Sequence, residues 1–216
     1  MTSVRGVVVV AHGGQSVSIE PTAAYQLAVL RMIPLVTAIR HAVRGRGVVV
    51  RRPRFEVRGW NDADASPVRD LTRLLDDLRD EFGPVPVVLV GHSMGARAAL
   101  RAAGHPSVTA AAGLAPWLPP GEPVDQLAGR RILLAHGTAD AVTSPADTWV
   151  YAERARALTS VTAIEVRTGE HTMLWRAPLW HGLAAAFTCL SLGLPTPSGS
   201  AAAAVCDARQ AQRTLV

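Results

Sequence analysis

The chain has 216 residues, 49% of them hydrophobic and 18% charged, which fits one globular domain with a full core and excludes a disordered chain. All 22 basic residues are arginine, and the lack of lysine excludes a Walker A phosphate loop, a Schiff-base lysine and a serine–lysine catalytic pair. The net charge of +5 comes from scattered arginines, of which only Arg51, Arg52 and Arg54 cluster; with no aromatic-plus-basic motif, this argues against nucleic-acid binding.

Cys189 and Cys206 stand in neither a metal nor a redox spacing. The N-terminal apolar run is too short for a signal-peptide core or a membrane span, so a cytoplasmic protein with no membrane partner is expected.

Residues 6–11, with four successive valines, read as a strand covered on both faces in a parallel sheet. His12-Gly13-Gly14 and a polar loop follow. From about 22 to 43 apolar residues recur at helical spacing, with Pro34 expected to kink or divide the helix. Residues 48–58 read as an edge strand because Arg51-Arg52-Pro53-Arg54 discourages further pairing. Ser66 and Pro67 are expected to cap and open a helix that Gly83 ends, with Val68, Leu71, Leu74, Leu75, Leu78 and Phe82 in its apolar stripe.

Residues 86–100 carry the strongest signal. A run of β-formers ends in Gly91-His92-Ser93-Met94-Gly95, and an Ala-rich helical stretch follows directly. This is G-x-S-x-G between strand and helix, where the serine sits on a sharp turn with Oγ projecting outward. The flanking glycines let strand and helix pass without Cβ collisions. Ser93 is the expected nucleophile.

Strands then follow near 108–112, 131–136 and 161–166. A Pro-rich loop (115–121), Gly137-Thr138-Ala139-Asp140 and Gly169-Glu170-His171-Thr172-Met173 follow their carboxyl ends. Ser144-Pro145 opens another helix, and one from 178 to 192 closes the domain. The expected architecture is α/β: a doubly wound, mostly parallel sheet of about six strands with helices on both faces. One domain spans 1–194, and residues 195–216 read as a flexible tail. In such sheets ligands bind beyond the carboxyl ends of the strands, where Ser93, Asp140 and His171 all fall.

A serine nucleophile needs a base, and the base needs an acid to fix its tautomer. Asp140, in a loop directly after a strand, is the best-placed acid; Asp147 is better read as part of a helix cap with Ser144. In the order Ser…Asp…His, His171 and His181 remain as bases, and His171 is preferred for its place in a post-strand loop. The Met94 and Gly14 amides are the expected oxyanion donors. His12 and His92 are assigned supporting hydrogen bonds, and His41, His105 and His136 packing or surface places. Trp117, Trp60 and Met173 are candidate pocket residues. No spacing implies a metal or another cofactor.

On His12-Gly13-Gly14, Gly91-His92-Ser93-Met94-Gly95, His136-Gly137-Thr138-Ala139-Asp140 and Gly169-Glu170-His171, the chain resembles the α/β-hydrolase superfamily, in its small dienelactone-hydrolase-like or esterase-like branch. The resemblance covers about residues 6–192. It implies a truncated fold that starts two strands late, which would leave strand 48–58 at the edge. It also implies no lid domain, since residues 114–129 hold only a Pro-rich loop. Dienelactone hydrolase uses a cysteine nucleophile, so its substrate does not carry over.

The expected activity is cleavage of a small or medium carboxylic ester or thioester through an acyl-enzyme. The alternatives are acyl transfer on the same residues, or a non-catalytic binding module of the same fold. The expected partner is a small-molecule ester; oligomeric state is not legible.

Overall fold

The computed structural model describes residues 3–207 and 214–216. A seven-stranded sheet runs in the order β2-β1-β3-β4-β5-β6-β7, with every neighbouring pair parallel. The strands are β1 (Gly6–Ala11), β2 (Val48–Arg51), β3 (Val87–His92), β4 (Val108–Leu114), β5 (Arg131–Gly137), β6 (Ser160–Val166) and β7 (Thr214–Leu215). The helices are α1 (Leu27–Leu30), α2 (Met32–Ala42), α3 (Ser66–Phe82), α4 (Met94–Ala102), α5 (Pro145–Arg156), α6 (Ala177–Ser191) and α7 (Ser200–Asp207).

Strand alternation sends side chains to two cores. Val8 and Val10 of β1 join Leu35 and Ile39 of α2, Phe187 of α6 and Val205 of α7 on one face. Val7 and Val9 join Leu71 and Leu75 of α3, Leu100 of α4 and Tyr151 of α5 on the other. All four valines are fully buried, each contributing on the order of 2 kcal/mol. A strand coated twice must be apolar at every position, which is why β1 carries no alternating pattern.

β2 lies at the sheet edge as expected, but it ends at Arg51 rather than residue 58. Beyond Pro53, which has no N–H to give a ladder, the chain bends over the carboxyl ends of the strands. Gly59 and Val57 there bridge to Gln15 and Pro21.

The helix expected over 22–43 is divided, but at Arg31, not at Pro34. Pro34 falls in the first turn of α2, where its missing N–H costs nothing. Its ring cannot sit against the carbonyl four residues back, so the chain breaks upstream. Ser66 does not cap α3: Ala65, at φ 43°, precedes the helix, and the Ser66 hydroxyl donates instead to Asp64 at 2.9 Å. Gly83, at φ 75°, ends α3.

The tail differs from expectation. In α7, Ala202, Ala204 and Val205 are buried. Thr214 and Leu215 add a seventh strand by pairing with Ile164 and Glu165 of β6. Positions 208–213 lie outside the described residues.

Between β4 and β5 there is only a 3-10 turn, Asp125–Leu127, and no inserted helical lid. Among the described residues no helix is long and apolar enough to cross a membrane.

Candidate active site

The sheet order reverses between β1 and β3, and the crevice that opens at such a point holds the site. Ser93, between β3 and α4, has φ 55° and ψ −120°, a strained conformation for a residue with a Cβ. Two neighbours hold it there: its N–H donates to the Leu114 carbonyl at 3.1 Å, and its carbonyl accepts from Ala96 at 3.0 Å. Gly95 packs directly on the β1 end; a Cβ there would lie 2.7 Å from the Ala11 carbonyl oxygen. That close approach is the physical reason for glycine at this position.

Ser93 Oγ lies 3.0 Å from His171 Nε2, and His171 Nδ1 lies 2.8 Å from Asp140 Oδ2. A carboxylate only accepts, so His171 donates from Nδ1 and turns the lone pair of Nε2 toward the serine hydroxyl. Ser93 and the His171 side chain are partly reachable from solvent, whereas the Asp140 side chain is fully buried.

Asp140 is stabilised as an anion. Its Oδ1 accepts from the Val142 and Thr143 amides at 2.8 and 2.9 Å. Its Oδ2 accepts from His171, from His136 Nε2 at 3.1 Å and from Thr143 Oγ1 at 3.1 Å. Burial pushes the carboxyl up, but the hydrogen bonds from His136, His171 and the two amides outweigh it and hold it well below the usual carboxylate range.

The loops that carry Asp140 and His171 are joined through their backbones. Thr138 N donates to Val166 O and Ala139 N to Gly169 O, both at 2.9 Å, and Thr168 N donates to Thr138 Oγ1 at 2.8 Å. Gly137 and Gly169 face each other too closely to admit a side chain between them.

His12 and His92 make the structural bonds expected of them. His12 donates from Nδ1 to the Gly13 carbonyl at 2.6 Å, and its Nε2 accepts from the Phe55 amide at 3.1 Å. His92 donates from Nε2 to the His171 carbonyl at 2.8 Å. Burial, with the neighbouring His171 ring, pushes His92 down to about 3.

His171 is the histidine at Ser93. His181 lies within α6 beside Gly182, which packs against Ala201 of α7. Met94 begins α4, so its amide is a first-turn N–H, and its side chain packs on Gly14.

The pocket assignments fare differently. Met173 is 4% exposed and belongs to the α2/α6 core, because the turn that bonds its amide to the Glu170 carbonyl at 3.1 Å folds it inward. Trp60 is buried as well. The Arg97 guanidinium lies 3.9 Å from the Trp60 ring centre and 4.6 Å from that of Trp117, a cation held in the corner of two indoles whose planes stand 83° apart. Arg97 Nε also donates to buried Glu122 at 2.7 Å. Trp117 still borders the site, since its amide donates to the Ser93 carbonyl at 3.3 Å. An open groove of about 600 Å³ that was not expected lies beside the His171 loop, lined by Thr168, Glu170, Leu174 and Trp175.

Residues 7–213 match the model of the alpha/beta hydrolase family. The chain belongs to that family. No curated protein matches the sequence of this α/β hydrolase. Its fold is shared with solved structures of low sequence identity. An alpha-beta serine hydrolase homologue from Coxiella burnetii is 16% identical, with 85% of each chain covered and a TM-score of 0.64. A lidless a/b serine hydrolase from Xanthomonas campestris is 18% identical over 91% of this chain and 86% of the other, at TM-score 0.61. Est1E from Butyrivibrio proteoclasticus, solved with ferulic acid bound, is 11% identical over 87% and 90%, at TM-score 0.64.

Proposed function

We propose that this α/β hydrolase is a serine esterase that cleaves a small or medium carboxylic ester, or a thioester, through an acyl-enzyme. The observation that carries the reading is the hydrogen-bonded chain from Ser93 Oγ through His171 to Asp140, at 3.0 and 2.8 Å. His171 Nε2 takes the hydroxyl proton as Oγ attacks the ester carbonyl, and Asp140 stabilises the imidazolium that forms. The tetrahedral oxygen accepts from the amides of Met94 and Gly14. His171 then gives the proton to the departing alkoxide, leaving an acyl-serine and an alcohol. Water, activated by the same imidazole, attacks the acyl carbon; the acid leaves and Oγ regains its proton.

Metal-free serine chemistry needs no group beyond these residues. The 3-10 turn in place of a lid leaves the site approachable by soluble esters. Leu174 and Trp175, both well exposed along the groove beside the His171 loop, offer an apolar surface to one half of the substrate.

A fluorophosphonate probe tests this reading directly. It should label the wild type at Ser93 and leave Ser93→Ala unlabelled. Against p-nitrophenyl esters that variant should fold normally but lose kcat by roughly a million-fold. Retention of substantial ester hydrolysis by Ser93→Ala would overturn the assignment.

A further inference from the structure

Asp140 holds more hydrogen bonds than orienting one imidazole requires, and one of the extra donors is His136, at the end of β5. The His136 side chain is fully buried. Its Nδ1 lies 2.7 Å from Thr148 Oγ1 on α5. The other acceptor within reach of that hydroxyl, the Ser144 carbonyl, is 3.5 Å away, so the hydroxyl donates to Nδ1. A neutral ring that accepts at Nδ1 carries its proton on Nε2. That N–H points at Asp140 Oδ2, 3.1 Å away and the same oxygen that receives His171.

We propose that His136 is a positioning residue, which fixes the Asp140 carboxylate and draws part of its charge away from His171. The proposal rests on the reading of Ser93, His171 and Asp140 given above. Oδ2 divides its negative charge among His171, His136 and the Thr143 hydroxyl. Deleting the His136 N–H leaves more of that charge for the imidazolium of His171 and releases one restraint on the carboxylate. The other titratable and charged groups around the pair are His92 from β3, whose ring centre is 4.9 Å from that of His171, Glu170 beside it, and Arg31 ahead of α2. None of these reaches Asp140 through a hydrogen bond among the described residues, so their influence is common to every variant below.

The experiment follows the rate of fluorophosphonate labelling at Ser93, and of ester hydrolysis, as a function of pH. With His136→Phe the rising limb should move up by about half a pH unit or more. Its plateau should fall roughly ten- to hundredfold with KM unchanged, the range for losing one hydrogen bond to a charged group. His136→Gln, whose amide N–H reaches the same oxygen, should return the limb to its wild-type position. Thr148→Val removes the hydroxyl that sets the tautomer, so it should move the limb in the same direction by a smaller amount. In the His136→Phe background it should move nothing further.

A folded His136→Phe with an unmoved limb overturns the proposal, even if its melting temperature drops. If that variant does not fold, an unmoved limb in Thr148→Val overturns it instead. His136→Gln behaving like His136→Phe overturns it too. Failure of the underlying reading looks different: the wild type itself would not label at Ser93, or would show no rising limb.

Discussion

His92 Nε2 donates to the main-chain carbonyl of His171 at 2.8 Å, so the end of β3 holds the loop that brings the His171 ring to the serine one residue away. The other nitrogen of His92 is buried without a partner among the described residues, which leaves the ring no way to share a second proton there. Its folded value, pushed down to about 3, lies well below the ordinary histidine value.

The stability consequence has a definite sign. As pH falls below about 6.5 the unfolded chain binds a proton that folded His92 refuses, so stability is complete above that pH and declines beneath it. At pH 5 the loss from this group is about 2 kcal/mol. His92→Gln should be less stable at pH 7 but should lose less on going to pH 5. Denaturant unfolding of both proteins at the two pH values measures this, and equal losses would remove His92 as the cause.

Activity should rise with pH as His171 gives up its proton, because only the neutral imidazole can accept from Ser93. His171→Ala should abolish both the limb and the activity. His181→Ala, altered in α6, should keep most of each. A pH series of kcat/KM on the two variants decides between the histidines, and the reverse result would assign the base to His181.

The groove and the Arg97 corner separate two tryptophans that look alike in sequence. Trp175 is 63% exposed at the groove, whereas Trp117 packs on a buried guanidinium. Trp175→Ala should weaken selection for longer acyl or alkyl groups, each CH₂ being worth up to about 0.8 kcal/mol. Trp117→Ala should leave the chain-length profile in place and lower the melting temperature. An ester series of increasing length, read with thermal melts, would expose an exchange of these roles.

Arg97 should matter chiefly to stability. Its partner Glu122 has a side chain only 2% exposed and is also bonded by Arg101. Arg97→Ala therefore leaves a buried carboxylate with half its compensation and two indoles facing a gap. A loss of about 3 kcal/mol is expected. Arg97→Met, which refills the apolar space alone, should recover part of it. Urea titrations of the pair measure the split; full recovery by Met would mean that the charge is immaterial.

The parts of this site that could be read in the sequence are those specified locally. The turn at Ser93 declares itself because two glycines must stand where strand and helix backbones touch. Asp140 and His171 follow from the rule that a parallel sheet gathers the loops beyond its strand ends. What could not be read depends on distant partners. His136 sits at the end of an apolar strand, and nothing in its neighbourhood says that its ring turns toward a loop four residues later. The Trp60–Arg97–Trp117 cluster joins three segments with no sequence pattern in common. Pro34 signals a break in the helix, but its place depends on which carbonyl the ring would strike. β7 is two residues long and gains its identity only from Ile164 and Glu165, some fifty residues earlier.

The backbone lattice between Thr138–Ala139 and Val166–Gly169 also constrains how this region breathes. An amide exchanges with solvent deuterium only when its hydrogen bond opens, and amides that open together report one free energy. The N–H groups of Thr138, Ala139 and Thr168 each bond across the gap between the two loops, so none can be released without loosening the others. In hydrogen-exchange mass spectrometry the peptides that span Asp140 and His171 should therefore gain deuterium as one cooperative unit. Acid and base should be lost and regained together, with no populated state in which only one is in place.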